Sequence, residues 1–246
     1  MRLFQSDLHI HTVLSPCGGL DMSPSKIVKQ AVGIGLKIIA VTDHNSTLHA
    51  PLMRKLASEY GVMVLLGAEV TSKEEVHSLC LFNEEEQRVA FQKFINDSLP
   101  VIKNKPEIFG YQLIVNEREE ILGEEENLLL SALSIGVSQL EEKVHALGGL
   151  FIPAHIDRPK YSLISQLGFV PKDLKYDALE LSKNTSVEDF INSSSYLKDA
   201  QFIKSSDSHA LPQIGTTNTF LRMKELSWIE FQLAIKGVEG RGIELK

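Results

Sequence analysis

Eight histidines are spread along the 246-residue chain, at His9, His11, His44, His49, His77, His145, His155 and His209. Six of them fall at the end of a predicted strand, beside one, or at the start of one. Within His9-Ile10-His11 an extended backbone turns both imidazoles to one face, so a single ion can reach both. A lone His-x-His is a weak signal, and a lone strand-end histidine is more often a hydrogen-bonded residue than a ligand. Repetition changes the weight. Asp43-His44, Glu69, His77, Ala154-His155-Ile156-Asp157 and Asp207-Ser208-His209 each set a metal-binding side chain against a short apolar run. Burying so many titratable groups without an ion would be costly. Imidazoles and carboxylates with at most one thiolate suit zinc, manganese or iron better than magnesium or calcium.

The remaining candidates read more simply. His145 stands among Glu141, Glu142 and Lys143 as a solvated helix residue, and His49 follows the Asp43-His44 loop into a helix. Cys80 lies inside an apolar run as a small core residue. Asp7 and Asp43 precede histidines and are expected to orient imidazoles rather than bind ions.

Short strands must deliver these side chains. Residues 2–8, 37–41, 62–66 and 76–82 read as strands, and helices open at Ser23-Pro24 and run through Leu48, Leu52, Leu56 and Tyr60 to Gly61. The alternation predicts parallel strands with helices outside, whose C-terminal ends converge on one rim. Residues 84–148 read as a mainly helical insertion. It carries an acidic helix with Phe91, Phe94, Ile95 and Ile102 on its buried stripe, a hairpin around Asn116-Glu117-Arg118, and a helix opened by a Ser138/Glu141 capping box. Residues 150–153, 176–181 and 201–203 resume the strands, with capping boxes at Thr185/Glu188 and Ser227/Glu230.

Composition bounds the setting. A chain 43% hydrophobic and 23% charged can bury one sizeable core, so residues 1–246 are expected to form a single domain. No apolar run approaches the length of a membrane span, and the N-terminus lacks the apolar core of a signal peptide; a cytoplasmic location is the expectation. There, Cys17 and Cys80 are free thiols or a ligand rather than a disulfide. A net charge of −7 argues against binding long nucleic acid but leaves room for a small phosphorylated substrate beside bound cations.

Taken in order, Asp7-Leu8-His9-Ile10-His11-Thr12, Thr42-Asp43-His44-Asn45, Gly67-Ala68-Glu69, His77, Ala154-His155 and Ser206-Asp207-Ser208-His209 resemble the PHP (polymerase and histidinol phosphatase) superfamily. The resemblance implies an α/β fold, a distorted (β/α)7 TIM-like barrel, holding two or three divalent ions. It implies that His9, His11, Glu69 and Asp207 hold the first ion, and that Glu69 bridges to a second held with His77 and His155. His44 and His209 would hold a third. Cys17 stands where some members carry a histidine: either its thiolate completes that site, or the Ser15-Pro16-Cys17-Gly18 loop is a tight turn and Asp21 or water does so.

Such ions activate water for attack on a phosphate ester. Arg158 is the candidate phosphate-binding cation, with Lys183 a weaker one, and Asp157 or His209 could protonate the leaving oxygen. The expected activity is a metal-dependent phosphoesterase acting on a small phosphate monoester, such as a nucleotide or nucleoside bisphosphate. Histidinol-phosphatase-like and short-oligonucleotide exonuclease activities are alternatives. So are an amidohydrolase-type hydrolase, whose bridging ligand is commonly a modified lysine, and a non-catalytic metal-binding module.

Overall fold

The computed structural model describes residues 1–245. Its strands are β1 (Arg2–Ile10), β2 (Ile38–Val41), β3 (Met63–Thr71), β4 (His77–Phe82), β5 (Leu113–Val115), β6 (Ile121–Glu124), β7 (Leu150–Pro153), β8 (Leu179–Leu181), β9 (Phe202–Lys204), β10 (Thr219–Met223) and β11 (Gly242–Leu245). Its helices are α1 (Pro24–Gly33), α2 (Ala50–Ala57), α3 (Glu85–Ser98), α4 (Pro106–Phe109), α5 (Val137–Ala146), α6 (Leu163–Leu167), α7 (Val187–Ser193) and α8 (Trp228–Lys236).

Among the described residues, seven strands form one curled sheet in the order β11-β10-β1-β2-β3-β4-β7. The short parallel pair β8-β9 adjoins β7 on one side and β11 on the other. The sheet is an α/β half-barrel that departs from a plain (β/α)7 repeat. β1-β2-β3 are parallel as expected, whereas β3-β4, β4-β7, β1-β10 and β10-β11 are antiparallel. Apolar runs read alike in both directions, so strand polarity was not visible in the pattern. The antiparallel return matters for the site: it puts His77, at the start of β4, opposite Thr71 at the end of β3. Gly67 permits the close packing here, since a Cβ would lie 2.8 Å from Leu81 Cδ2 and 2.9 Å from the Cys80 carbonyl oxygen.

Residues 84–148 are less helical than expected. The side chains of Phe91, Ile95, Leu140 and Val144 on α3 and α5 pack into one cluster with Phe82 and Phe151. Between these helices lie α4, the β5-β6 hairpin and irregular chain. The hairpin falls where the sequence placed it. Ile102, however, is 50% exposed and lies beyond α3, which ends before Pro100.

Helix starts shifted by a residue or two. α5 is opened by Gly136, whose N–H donates to the Gln139 side chain, not by Ser138, and α7 by Ser186 rather than Thr185. α2 buries Ala50, Met53 and Ala57, while Leu48 and Tyr60 stay exposed. Among the described residues, no helix is long and apolar enough to cross a membrane.

Candidate metal centre

β1 ends in a tautomer-defined pair. Ser15 Oγ donates to Asp43 Oδ1 at 2.7 Å, so toward His11 Nδ1, 3.0 Å away, it can only accept; the His11 proton sits on Nδ1. His9 Nδ1 lies 3.1 and 3.2 Å from the two oxygens of Glu180. Both Nε2 atoms therefore point inward, 3.2 Å apart, each with a lone pair available when its ring is neutral.

Glu69, 1% exposed on β3, meets this pair from below. Its Oε1 lies 2.9 Å from His77 Nδ1, 3.1 Å from His155 Nε2 and 3.3 Å from His9 Nε2. Its Oε2 lies 3.2 Å from His44 Nδ1 and 3.5 Å from His11 Nε2. Asp207 closes the opposite side, with Oδ1 3.4 Å from His9 Nε2 and 3.3 Å from His11 Nε2. The His209 ring stacks on His11 at 4.2 Å, and its Nδ1 donates to the Asp207 carbonyl. Cys17 Sγ shares a cluster with ligand atoms of His11, His44 and His209, all within 4.8 Å of one another. Two further clusters of this kind are His9-His11-Glu69 and His44-Glu69-His77. His155 belongs to none of these clusters; its Nε2 reaches the centre through its contact with Glu69.

The electrostatics match an anion caged by imidazoles. Burial pushes the Glu69 carboxyl up, but His77, His9 and His44 outweigh it and hold the group well below its usual range. Burial and the neighbouring His11 bring His209 down to about 4, so it is neutral near pH 7 with Nε2 free. His44 Nδ1, although 3.2 Å from Glu69 Oε2, is buried and makes no hydrogen bond. A buried imidazole nitrogen left without a hydrogen bond beside clustered imidazoles and carboxylates fits a divalent cation.

The supporting residues differ from expectation. Asp7 and Asp43 touch no imidazole directly. Asp7 accepts from the backbone of Ser206 and Gly215, fixing the loop that carries Asp207 and His209. Asp43 accepts from Thr12 and Ser15 and so acts on His11 through Ser15. The carboxylate that does hold an imidazole is Glu180, which also accepts from the His155 backbone N–H at 3.0 Å. The sequence reading missed it; the available signal was an acid between two leucines of an apolar strand.

Asp157 accepts from Ser182 N, Ser182 Oγ and Thr185 Oγ1 at 2.6–2.7 Å. Burial opposes ionisation there, but these donors hold the carboxyl below its usual value, and Asp157 does not line the cleft. Its carboxylate thus ties down the chain after β8. His145 is not simply solvated: it is half-buried between Glu141 and Asp177. His49 is buried, linking Thr12 Oγ1 to the Val115 N–H. Cys80 is in the core as expected.

A cleft of about 470 Å³ opens over the centre, bordered by Cys17, His44, Glu69, His77, His155, Asp207 and His209. Its wall is the segment Arg158-Pro159-Lys160-Tyr161. Arg158 Nη1 lies 2.6 Å from Asp207 Oδ2. Lys183 borders a different cleft, with Lys204 and Asn218.

Residues 7–221 match the PHP domain, and the chain belongs to that family. Among individual proteins, it is 38% identical over 109 residues to the uncharacterized YqxK of Bacillus subtilis, a match spanning 42% of this chain and 28% of that one. The lesion-specific endonuclease Q of Pyrococcus furiosus shares the fold, with a TM-score of 0.73 at 23% identity over 98% of this chain and 58% of its own. A proposed metal-dependent phosphoesterase from Bifidobacterium adolescentis aligns with a TM-score of 0.59 at 18% identity, over 83% of this chain and 87% of its own. The chain thus spans less than two thirds of the length of the first two. Endonuclease Q has also been solved with a 27-mer duplex carrying an abasic lesion at its active site.

Proposed function

We propose that this chain is a metal-dependent phosphoesterase. The observation that carries the reading is Glu69, a buried carboxylate whose two oxygens are approached by five imidazoles from four strand ends. In this reading His9, His11, Glu69 and Asp207 hold one ion, Glu69, His77 and His155 a second, and His44, His209 and Cys17 a third. Divalent zinc, manganese or iron, when bound, lowers the pKa of water and offsets charge on a phosphate. Glu180 and Ser15 fix the His9 and His11 rings so that both Nε2 atoms stay aimed inward. Arg158, at the mouth, exchanges its Asp207 partner for a phosphate oxygen and holds the phosphoryl group in place. His209, neutral at physiological pH, acts through its lone pair.

A cleft of this size suits a small phosphate monoester, a nucleotide or nucleoside bisphosphate. A second reading, a phosphodiester in DNA, is favoured by the likeness to endonuclease Q over nearly the whole chain. The protein loaded with manganese or zinc should be assayed against phosphomonoesters, duplex DNA with an abasic site, and amides. Chelator-sensitive turnover of a phosphate ester is expected, and the preferred ester chooses between the two readings. Turnover of amides alone, or none of any substrate with ions bound, sinks the proposal.

A further inference from the structure

Tyr161 is a bulky residue at φ +57°, a region that side chains of its size seldom adopt. It is clamped there. Its carbonyl accepts from His77 N at 2.9 Å, and Ser162 Oγ donates to the Arg158 carbonyl at 2.7 Å while capping α6. One ring face lies parallel on His77, with centroids 4.7 Å apart and planes 14° apart. The residue is still 44% exposed and lines the cleft. Strain held by fixed contacts beside a cleft points to use.

The lining is mixed. Imidazoles, carboxylates and the Arg158 and Lys160 cations border the cleft together with Leu130, Pro159 and Tyr161, which add apolar surface. A ligand that fills both carries a phosphoryl group and, close by, a flat apolar ring. Sugar phosphates and amino-alcohol phosphates offer the first without a large aromatic face; a nucleotide offers both. We infer that Tyr161 is a stacking platform for a nucleobase, and that the phosphate ester taken by this cleft is a nucleotide unit, free or within a strand. The inference rests on the phosphoesterase reading for its phosphate half only.

Wild type, Tyr161→Phe, Tyr161→Leu and Tyr161→Ala, matched for bound metal by elemental analysis, test it. Equilibrium binding of a nucleoside monophosphate, a short DNA oligonucleotide and glycerol phosphate is measured by calorimetry, and hydrolysis of each alongside. Stacking predicts that Tyr161→Leu and Tyr161→Ala lose about tenfold or more in affinity for a base-bearing ligand relative to glycerol phosphate, and that Tyr161→Phe retains it. A loss confined to the oligonucleotide assigns the platform to a strand; a loss with the mononucleotide assigns it to a free nucleotide. Equal losses for all three ligands, no loss, or no binding of base-bearing ligands by wild type overturns the platform. Ring-dependent binding without hydrolysis of any ester would leave the platform standing and remove the phosphoesterase reading instead.

Discussion

Glu180 supplies no ligand atom in the proposed scheme, yet its two oxygens hold His9 and its Oε2 also secures the His155 backbone. Carboxylates placed behind metal-binding imidazoles set ring orientation and basicity. Glu180→Gln should weaken binding of the ion at His9 by about 10–100-fold, read by competition with a chromophoric chelator. Glu69→Gln removes the anion between the imidazoles, and elemental analysis should find more than one equivalent of metal missing while circular dichroism stays native. Loss of a single equivalent would mean that Glu69 is not shared. The inward residues were legible because each sits at the tip of an apolar run. Glu180 and Tyr161 were not, because they meet His9 and His77 from distant segments, and Ser15, only four residues past His11, was hidden by the turn that folds it back onto the ring.

Elements show where sequence patterns stop being informative. The four-residue spacing of Leu48, Leu52, Leu56 and Tyr60 marks a helix, but the residues that helix buries are Ala50, Met53 and Ala57, where it packs on β3. Between α5 and the chain before β8, His145 Nδ1 meets Glu141 at 2.6 Å and Nε2 meets Asp177 at 2.9 Å. The hydrogen bond with Asp177 and that with Glu141, against a lesser opposing effect of burial, raise the imidazole above its ordinary 6.5. The folded state thus binds the proton more tightly than the unfolded chain. This stabilisation is fully present below pH 6.5 and is lost as pH rises through the raised folded value. His145→Gln should cost about 1–2 kcal/mol at pH 6 and less at pH 8, measured by urea denaturation at the two pH values. An equal cost at both would show that charge on His145 plays no part.

Across the molecule, residues from β1 to the loop after β9 converge on one point, so an ion bound there ties distant segments of the native state and none of the unfolded chain. At a concentration about 100-fold above its Kd, such an ion adds about 2.7 kcal/mol. Removing it with a chelator should lower Tm by about 5–10 °C, and manganese or zinc should restore it. An unchanged melting curve, with metal shown to have left, would remove the ion from the fold's support.

β1 occupies the interior of the sheet, with β2 on one flank and β10 on the other, so Arg2 pairs with Met223 and Ser6 with Thr219. On the ribosome the opening segment can gain its first neighbour early, but its other flank stays bare until residues 219–223 have been translated. A nascent polypeptide stalled before that point displays an unmated edge, which recruits chaperones or other stalled copies.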